Sequence, residues 1–184
     1  MSCKTNYYSR FSIIAIVFFA MISCESNFRD VQKMGISEFT PSGEADTVNL
    51  KYTDSGRIKA VLISSKMLDY ATVEFPFTEF PKGIDLTLFD VNGKKTFVKS
   101  KYAITHKNPD LIDLQGNVKI SNETGETLET EQLYFDQKNE WFFTEKKFKF
   151  TSAKGVSLGE GIDFSKDFKK VNSQKISGEV EQSE

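Results

Sequence analysis

Histidine is almost missing from this chain: His106 is the only one in 184 residues. Cysteine is confined to Cys3 and Cys24, so the long remainder carries no thiol. The two shortages leave no imidazole and thiolate set for a zinc site and no disulfide framework for the body of the protein. No Gly-x-Ser-x-Gly elbow, phosphate-cradling glycine loop or His-Glu-x-x-His is present. Glu126, Glu129 and Glu131 come nearest to the carboxylate pair of glycoside chemistry. Interleaved with Thr127, Thr130 and Gln132, they read as the solvated face of a strand. No catalytic residue, metal or cofactor is expected. An excess of charge of one sign is lacking too. Lys and Arg number 24 against 26 Asp and Glu, a net charge of −2, so there is no clustered basic surface for nucleic acid. Four prolines beside 17 phenylalanines argue for a folded β protein, because aromatic and β-branched side chains suit a pleated, half-buried surface.

What the chain has is alternation. Between Leu111 and Phe164, apolar residues recur at every second position (Val118 and Ile120; Phe142 and Thr144; Phe148 and Phe150), cut by turn clusters such as Ser121–Gly125 and Gly159–Gly161. That is the signature of half-buried antiparallel strands. Upstream, Val48, Leu50 and Tyr52 alternate, then Ile58, Ala60 and Leu62, then Val73, Phe75 and Phe77, and then Ile84, Leu86 and Leu88. Asn92-Gly93 predicts a type I′ hairpin. After it, Thr96, Val98, Ser100, Tyr102 and Ile104 share one face of a strand, with His106 in the turn that follows. Roughly a dozen short strands at 8–12-residue spacing indicate a sandwich, barrel or jelly roll. Trp141 reads as a core anchor, or more sharply as a contact for lipid or a partner.

The N-terminus carries an address. Lys4 and Arg10 precede an uncharged apolar run, Ile13–Ile22. That run is about half of the ~20 residues needed to span a bilayer, and it matches the h-region of a secretory signal. Met21-Ile22-Ser23-Cys24 resembles a bacterial lipobox, which makes Cys24 the expected lipid-attachment residue and residues 1–23 a signal peptide or short anchor. Residues 24–46 are expected to be a linker broken at Pro41-Ser42-Gly43, and residues 47–184 the folded domain with a polar tail.

The second half of the chain also carries a set of short motifs. They are Leu114-x-Gly116-x-Val118, a turn glycine at Gly125, and Leu128-x-Thr130-x-x-Leu133-x-Phe135-Asp136. Thr144-x-x-x-Phe148 and Gly159-x-Gly161-x-Asp163 complete it. In combination these resemble the LptC/OstA-like periplasmic proteins of the lipopolysaccharide export machinery, over about residues 47–165. The resemblance implies a twisted, open antiparallel β-jelly roll whose interior takes the acyl chains of lipopolysaccharide and whose edges pair with like domains. The partners it implies are lipopolysaccharide, an inner-membrane ABC transporter and an OstA-like periplasmic bridge protein. The expected location is the periplasmic side of the inner membrane. Where family members carry an N-terminal transmembrane helix, this chain has a shorter run ending in the lipobox-like sequence.

The residues expected to line the trough are Leu62, Phe75, Phe77, Leu86, Leu88, Val98, Ile104, Ile120, Phe148 and Phe150, with Leu158 and Ile162 also facing inward. Val156, Leu158, Ile162 and Phe164 form the candidate docking edge. The alternative is a structural or carbohydrate-binding envelope lipoprotein with a closed β-sandwich, which would present Trp141 or Tyr134 on a loop or outer face.

Overall fold

Residues 40–176 are described by a computed structural model, and every regular element among them is a strand. The signal segment, Cys24 and most of the linker, like the tail beyond Ile176, lie outside the described residues. In chain order the strands are β1 (Gly43–Asp54), β2 (Arg57–Tyr70), β3 (Phe77–Phe80), β4 (Ile84–Phe89), β5 (Lys95–Ser100) and β6 (Tyr102–Lys107). They continue with β7 (Asp110–Asn122), β8 (Thr127–Asp136), β9 (Trp141–Ser152), β10 (Gly155–Ser165) and β11 (Val171–Ile176). Gly43 to Asp46, expected in the linker, already pair with Asp69 to Lys66.

All eleven strands belong to one antiparallel sheet, in line with the expected jelly roll. Two long strands organise it. The first part of β2 pairs with β4 and its last part with β3. Likewise β7 pairs with β6 through Gln115 and with β5 from Lys119 onward. Because β4 also pairs with β5, and β3 with β6, the pairings close a ring from β2 to β7 and back. From β7 the sheet continues through β8, β9 and β10 to β11, while β1 flanks β2.

A line of irregularities crosses the strands where the two half-sheets meet. In β7, Gly116 (φ 75°) and Asn117 (φ 48°) are left-handed, and the register with β8 shifts there. It shifts again between β8 and β9 after Thr130, and between β9 and β10 at left-handed Gly161 (φ 76°). Bulges bend strands and raise local twist, so a row of them acts as a crease over which the sheet folds. Ladder bonds lost at a crease leave buried carbonyls and amides that must find other partners. Hydroxyls serve: Ser64 Oγ donates to Gly83 O at 2.7 Å, Thr130 Oγ to Lys147 O at 2.9 Å, and Thr144 Oγ accepts from Lys146 N at 3.0 Å. That accounts for three of the four buried polar residues.

The crease also explains where alternation misleads. Thr96 to Ile104 is two strands, broken at Lys101, whose N–H donates to Gly116 O at 3.0 Å. The break reverses the phase. Val98 faces the core, whereas in β6 it is Ala103, opposite buried Leu114, that does so. Val73 to Phe75 is not strand at all but the bend leading into β3. His106 sits within β6, with its ring 6.3 Å from that of Phe77. The Asn92-Gly93 hairpin is real, but its turn is longer than a two-residue type I′. Asp90 N bonds Lys94 O, the Asp90 carboxylate accepts from the N–H of Asn92 and of Lys94, and only Gly93 (φ 82°) is left-handed.

Candidate functional site

The inner face of the folded sheet holds one continuous hydrophobic cluster. Leu86, Leu88, Val98, Ile120 and Phe148 are all buried in it, and Leu62 and Phe150 are half-buried against it. The other three trough candidates are elsewhere. Phe75 is 72% exposed in the bend before β3. Phe77 and Ile104 are on the outer face, since Phe80 and Ala103, of opposite phase to them, are the buried residues of β3 and β6. The interior also contains residues outside the expected set, among them Phe80, Leu114, Leu133, Phe142 and Phe168. Of these, Phe142 stands at an alternating position and is legible as such, whereas Leu133 follows Thr130 by three residues across a register shift that breaks the alternation. Phe168 lies in a turn, where no periodicity points to it.

The docking-edge candidates divide at Gly161. Before it, Val156 and Leu158 face outward beside Thr151 and exposed Lys149; after it, Ile162 and Phe164 are buried on the inner face. The left-handed glycine switches the phase, so four residues at even spacing end on two surfaces. β10 is also not the last strand at this end. β11 covers it from Gly159 to Phe164, and Gly155 to Leu158 extend beyond that pairing.

At the opposite margin the inner face outruns its cover. Leu50 and Tyr52 pair with Leu62 and Ala60, which pack on the core, and Ile58 shares the phase of Ala60. Yet Leu50, Tyr52 and Ile58 are all exposed. The apolar lining therefore passes from a sealed core to an open ledge along β1 and β2.

Away from the crease, the turn between β10 and β11 closes the two halves on each other. Lys166 O accepts from Thr96 Oγ of β5 at 2.9 Å, Lys166 N donates to Glu140 O at 3.0 Å, and Lys166 Nζ reaches Phe89 O of β4 at 3.5 Å and the Glu140 carboxylate. Within the turn, Asp167 accepts from Ser165 Oγ at 2.7 Å and pairs with Lys169 Nζ at 2.8 Å. Partial burial pushes the Asp167 carboxyl up, but bonds from Lys169 and Ser165 and the Lys169 charge outweigh it and hold it down at about 2. A depressed folded-state pKa stabilises the fold above the ordinary carboxylate range and loses that contribution as pH falls through about 2. Asp167→Asn is accordingly expected to cost about 1–2 kcal/mol at pH 7, after allowance for solvent screening. Denaturant melts of variant and parent should converge as pH approaches 2; a gap that stays constant with pH would contradict the assignment.

The outer face of the half-sheet containing β3 and β6 is aromatic and polar. Tyr134 stacks on Phe143 at 5.1 Å, Gln132 Nε2 donates to Asp113 and to Tyr134 Oη, and Trp141 Nε1 donates to Asp163 at 3.1 Å. Tyr102, raised to about 12 by burial and then by its hydrogen bond to Glu79, completes this surface. Among the described residues no cluster of His, Cys, Asp and Glu is placed to hold a metal ion, and no helix is long and apolar enough to cross a membrane.

A family model described as lipopolysaccharide-assembly, LptC-related, matches residues 13–174. A search of curated proteins returned no match.

Proposed function

The chain belongs to the LptC-related family of lipopolysaccharide-assembly proteins, and from that premise we propose that its folded sheet receives the acyl chains of lipopolysaccharide on the inner face and passes the lipid on without catalysis. Membership assigns it a role in lipopolysaccharide transport. The observation that carries the finer reading is the lining that continues from the core onto Leu50, Tyr52 and Ile58 at the β1 margin. Exposed apolar surface of this kind is costly in water, at ~25 cal/mol per Å², and a lipid chain laid along it would remove that cost.

In this reading residues 1–23 are a signal peptide, Cys24 is acylated, and a linker ending just before Gly43 holds the domain on the periplasmic side of the inner membrane. Two or more acyl chains make such an anchor stable. The side of β1 that no described strand covers and the β11 end, including Val156 and Leu158, are the surfaces for strand addition. Their proposed partners are the inner-membrane ABC transporter on one side and an OstA-like bridge protein on the other.

Photo-crosslinking residues at Leu50, Tyr52 and Phe150 are expected to capture lipopolysaccharide in cells, and those at outward Lys99 and Glu129 to fail. Equal capture at both sets would sink the trough. A second reading, saccharide binding on the outer face, is favoured by the Tyr134–Phe143 stack flanked by Gln132 and Asp113. A deacylated core oligosaccharide that bound as well as the whole lipid would support it instead.

A further inference from the structure

We infer that the β10–β11 turn is a clasp over the lipid path and that the Phe168 ring occupies the place of an acyl chain, competing with it from within the protein. The inference rests on the trough reading above and adds to it a site and a competitor. Phe168 belongs to a turn and yet is buried, 4.9 Å from the Phe164 ring and 6.1 Å from that of Phe150. Phe164 lies at the β11 end of β10, whereas Phe150 lies on the far half of β9, beside Leu128. The ring thus fills the gap between the two halves near their free margin.

Its backbone marks the same point. Phe168 has φ 60°, a left-handed conformation that a bulky side chain rarely adopts. Such a residue persists where its surroundings over-determine it; here burial of the ring is the evident reason. The rest of the turn supports itself. Ser165 N bonds Lys170 O, Phe168 N bonds Ser165 O, and Lys170 N bonds Ser165 Oγ. By contrast, its ties to β4 and β5 are few: the Thr96 hydroxyl and the Lys166 ammonium. A rigid unit on a weak tether can swing away as a piece.

Beside the plug, a pocket of about 310 Å³ has Leu88, Phe89 and Phe168 at its apolar side and Lys94, Lys95 and Lys169 among its polar walls. The site therefore suits the hydrocarbon chain of an amphiphile. It is no simple anion site, because Asp90, Glu123, Glu126 and Asp167 line the same pocket and balance the lysines. A ligand that binds only the open form sees its affinity reduced by the open fraction. Removing the plug or the tether should raise apparent affinity.

The test uses the full chain and a diazirine-bearing palmitic acid, with labelled residues mapped by mass spectrometry. Phe168→Gly removes the ring and suits the left-handed backbone. Thr96→Val removes only the shorter of the two ties and carries the test should the glycine variant fail to fold. Both are expected to raise labelling of Phe150 and Phe164 by roughly tenfold, with labelling of exposed Phe75 unchanged as an internal reference. Interior labelling that is strong in the parent and no higher in either variant would overturn the clasp and leave the trough standing. No interior labelling in parent or variants would overturn the trough, and the clasp with it.

Discussion

Phe142→Ala is expected to destabilise the domain by about 3–5 kcal/mol, the range for deleting a buried aromatic ring. Phe142 is 0% exposed and stands in the middle of a line of rings: Phe135 at 4.4 Å on one side, Phe164 at 5.3 Å on the other. Beyond Phe164 the line runs through Phe168 to Phe150. Truncation leaves a cavity that the stiff strands on either side close poorly, and it also removes two stacked contacts worth about 0.5–1.5 kcal/mol each beyond their area. Against a total stability of about 5–15 kcal/mol, the loss should lower the melting temperature by on the order of 10–20 °C. Phe143→Ala is the control. That neighbour faces outward and is partly exposed, so its loss should cost about 1 kcal/mol. Equal costs at the two positions in a denaturant melt would mean that the phase of β9 is misassigned.

Gly83→Ala is the second large effect. A Cβ there would lie 2.1 Å from Ser100 O and 2.9 Å from the Lys101 backbone, at φ +79°. The obstacle is backbone on the crease, where Gly83 O accepts from Ser64 Oγ and the chain passes from β5 to β6. No side chain can swing away to make room. The left-handed backbone alone costs an alanine about 1–2 kcal/mol. Gly93→Ala isolates that share, because Gly93 has φ +82° and nothing within 4 Å of its added Cβ. Any further loss at Gly83 measures the close approach, expected to be at least about 2 kcal/mol more. Chemical unfolding of the two variants side by side decides the matter. Indistinguishable midpoints would show that the crease gives way freely.

The alternation of β4 and the second half of β7 can be read directly from the chain, because one face of each is buried and the other is not: Val118 and Ile120 are buried and Lys119 is exposed. Ile84, Leu86 and Leu88 are all in the core. The errors arise where a single residue reverses phase. Lys101 separates β5 from β6 and sends Ile104 outward, and Gly161 divides Val156 and Leu158 from Ile162 and Phe164. A bulge needs one residue in an unusual conformation, and cross-strand geometry decides where it falls. Gly161 was visible as a turn residue but not as a switch. Phe168 was beyond reach for a different reason: a turn has no period, and its burial depends on β4, β5 and β9, distant in the chain. The ledge at Leu50, Tyr52 and Ile58 was half legible. Its alternation was plain, but its lack of cover depends on where the opposing half-sheet ends.

The sharing of β2 and β7 between the half-sheets bears on how the domain forms. The pairs β1–β2 and β8 through β11 are hairpins between chain neighbours, which close cheaply and early. Neither half-sheet can be completed this way, because each needs one end of β2 and one end of β7. Placing either long strand in one half fixes it for the other. The ring therefore closes only through the non-local pairings of β2 with β4, β3 with β6 and β5 with β7, which tie the two half-sheets into one cooperative unit.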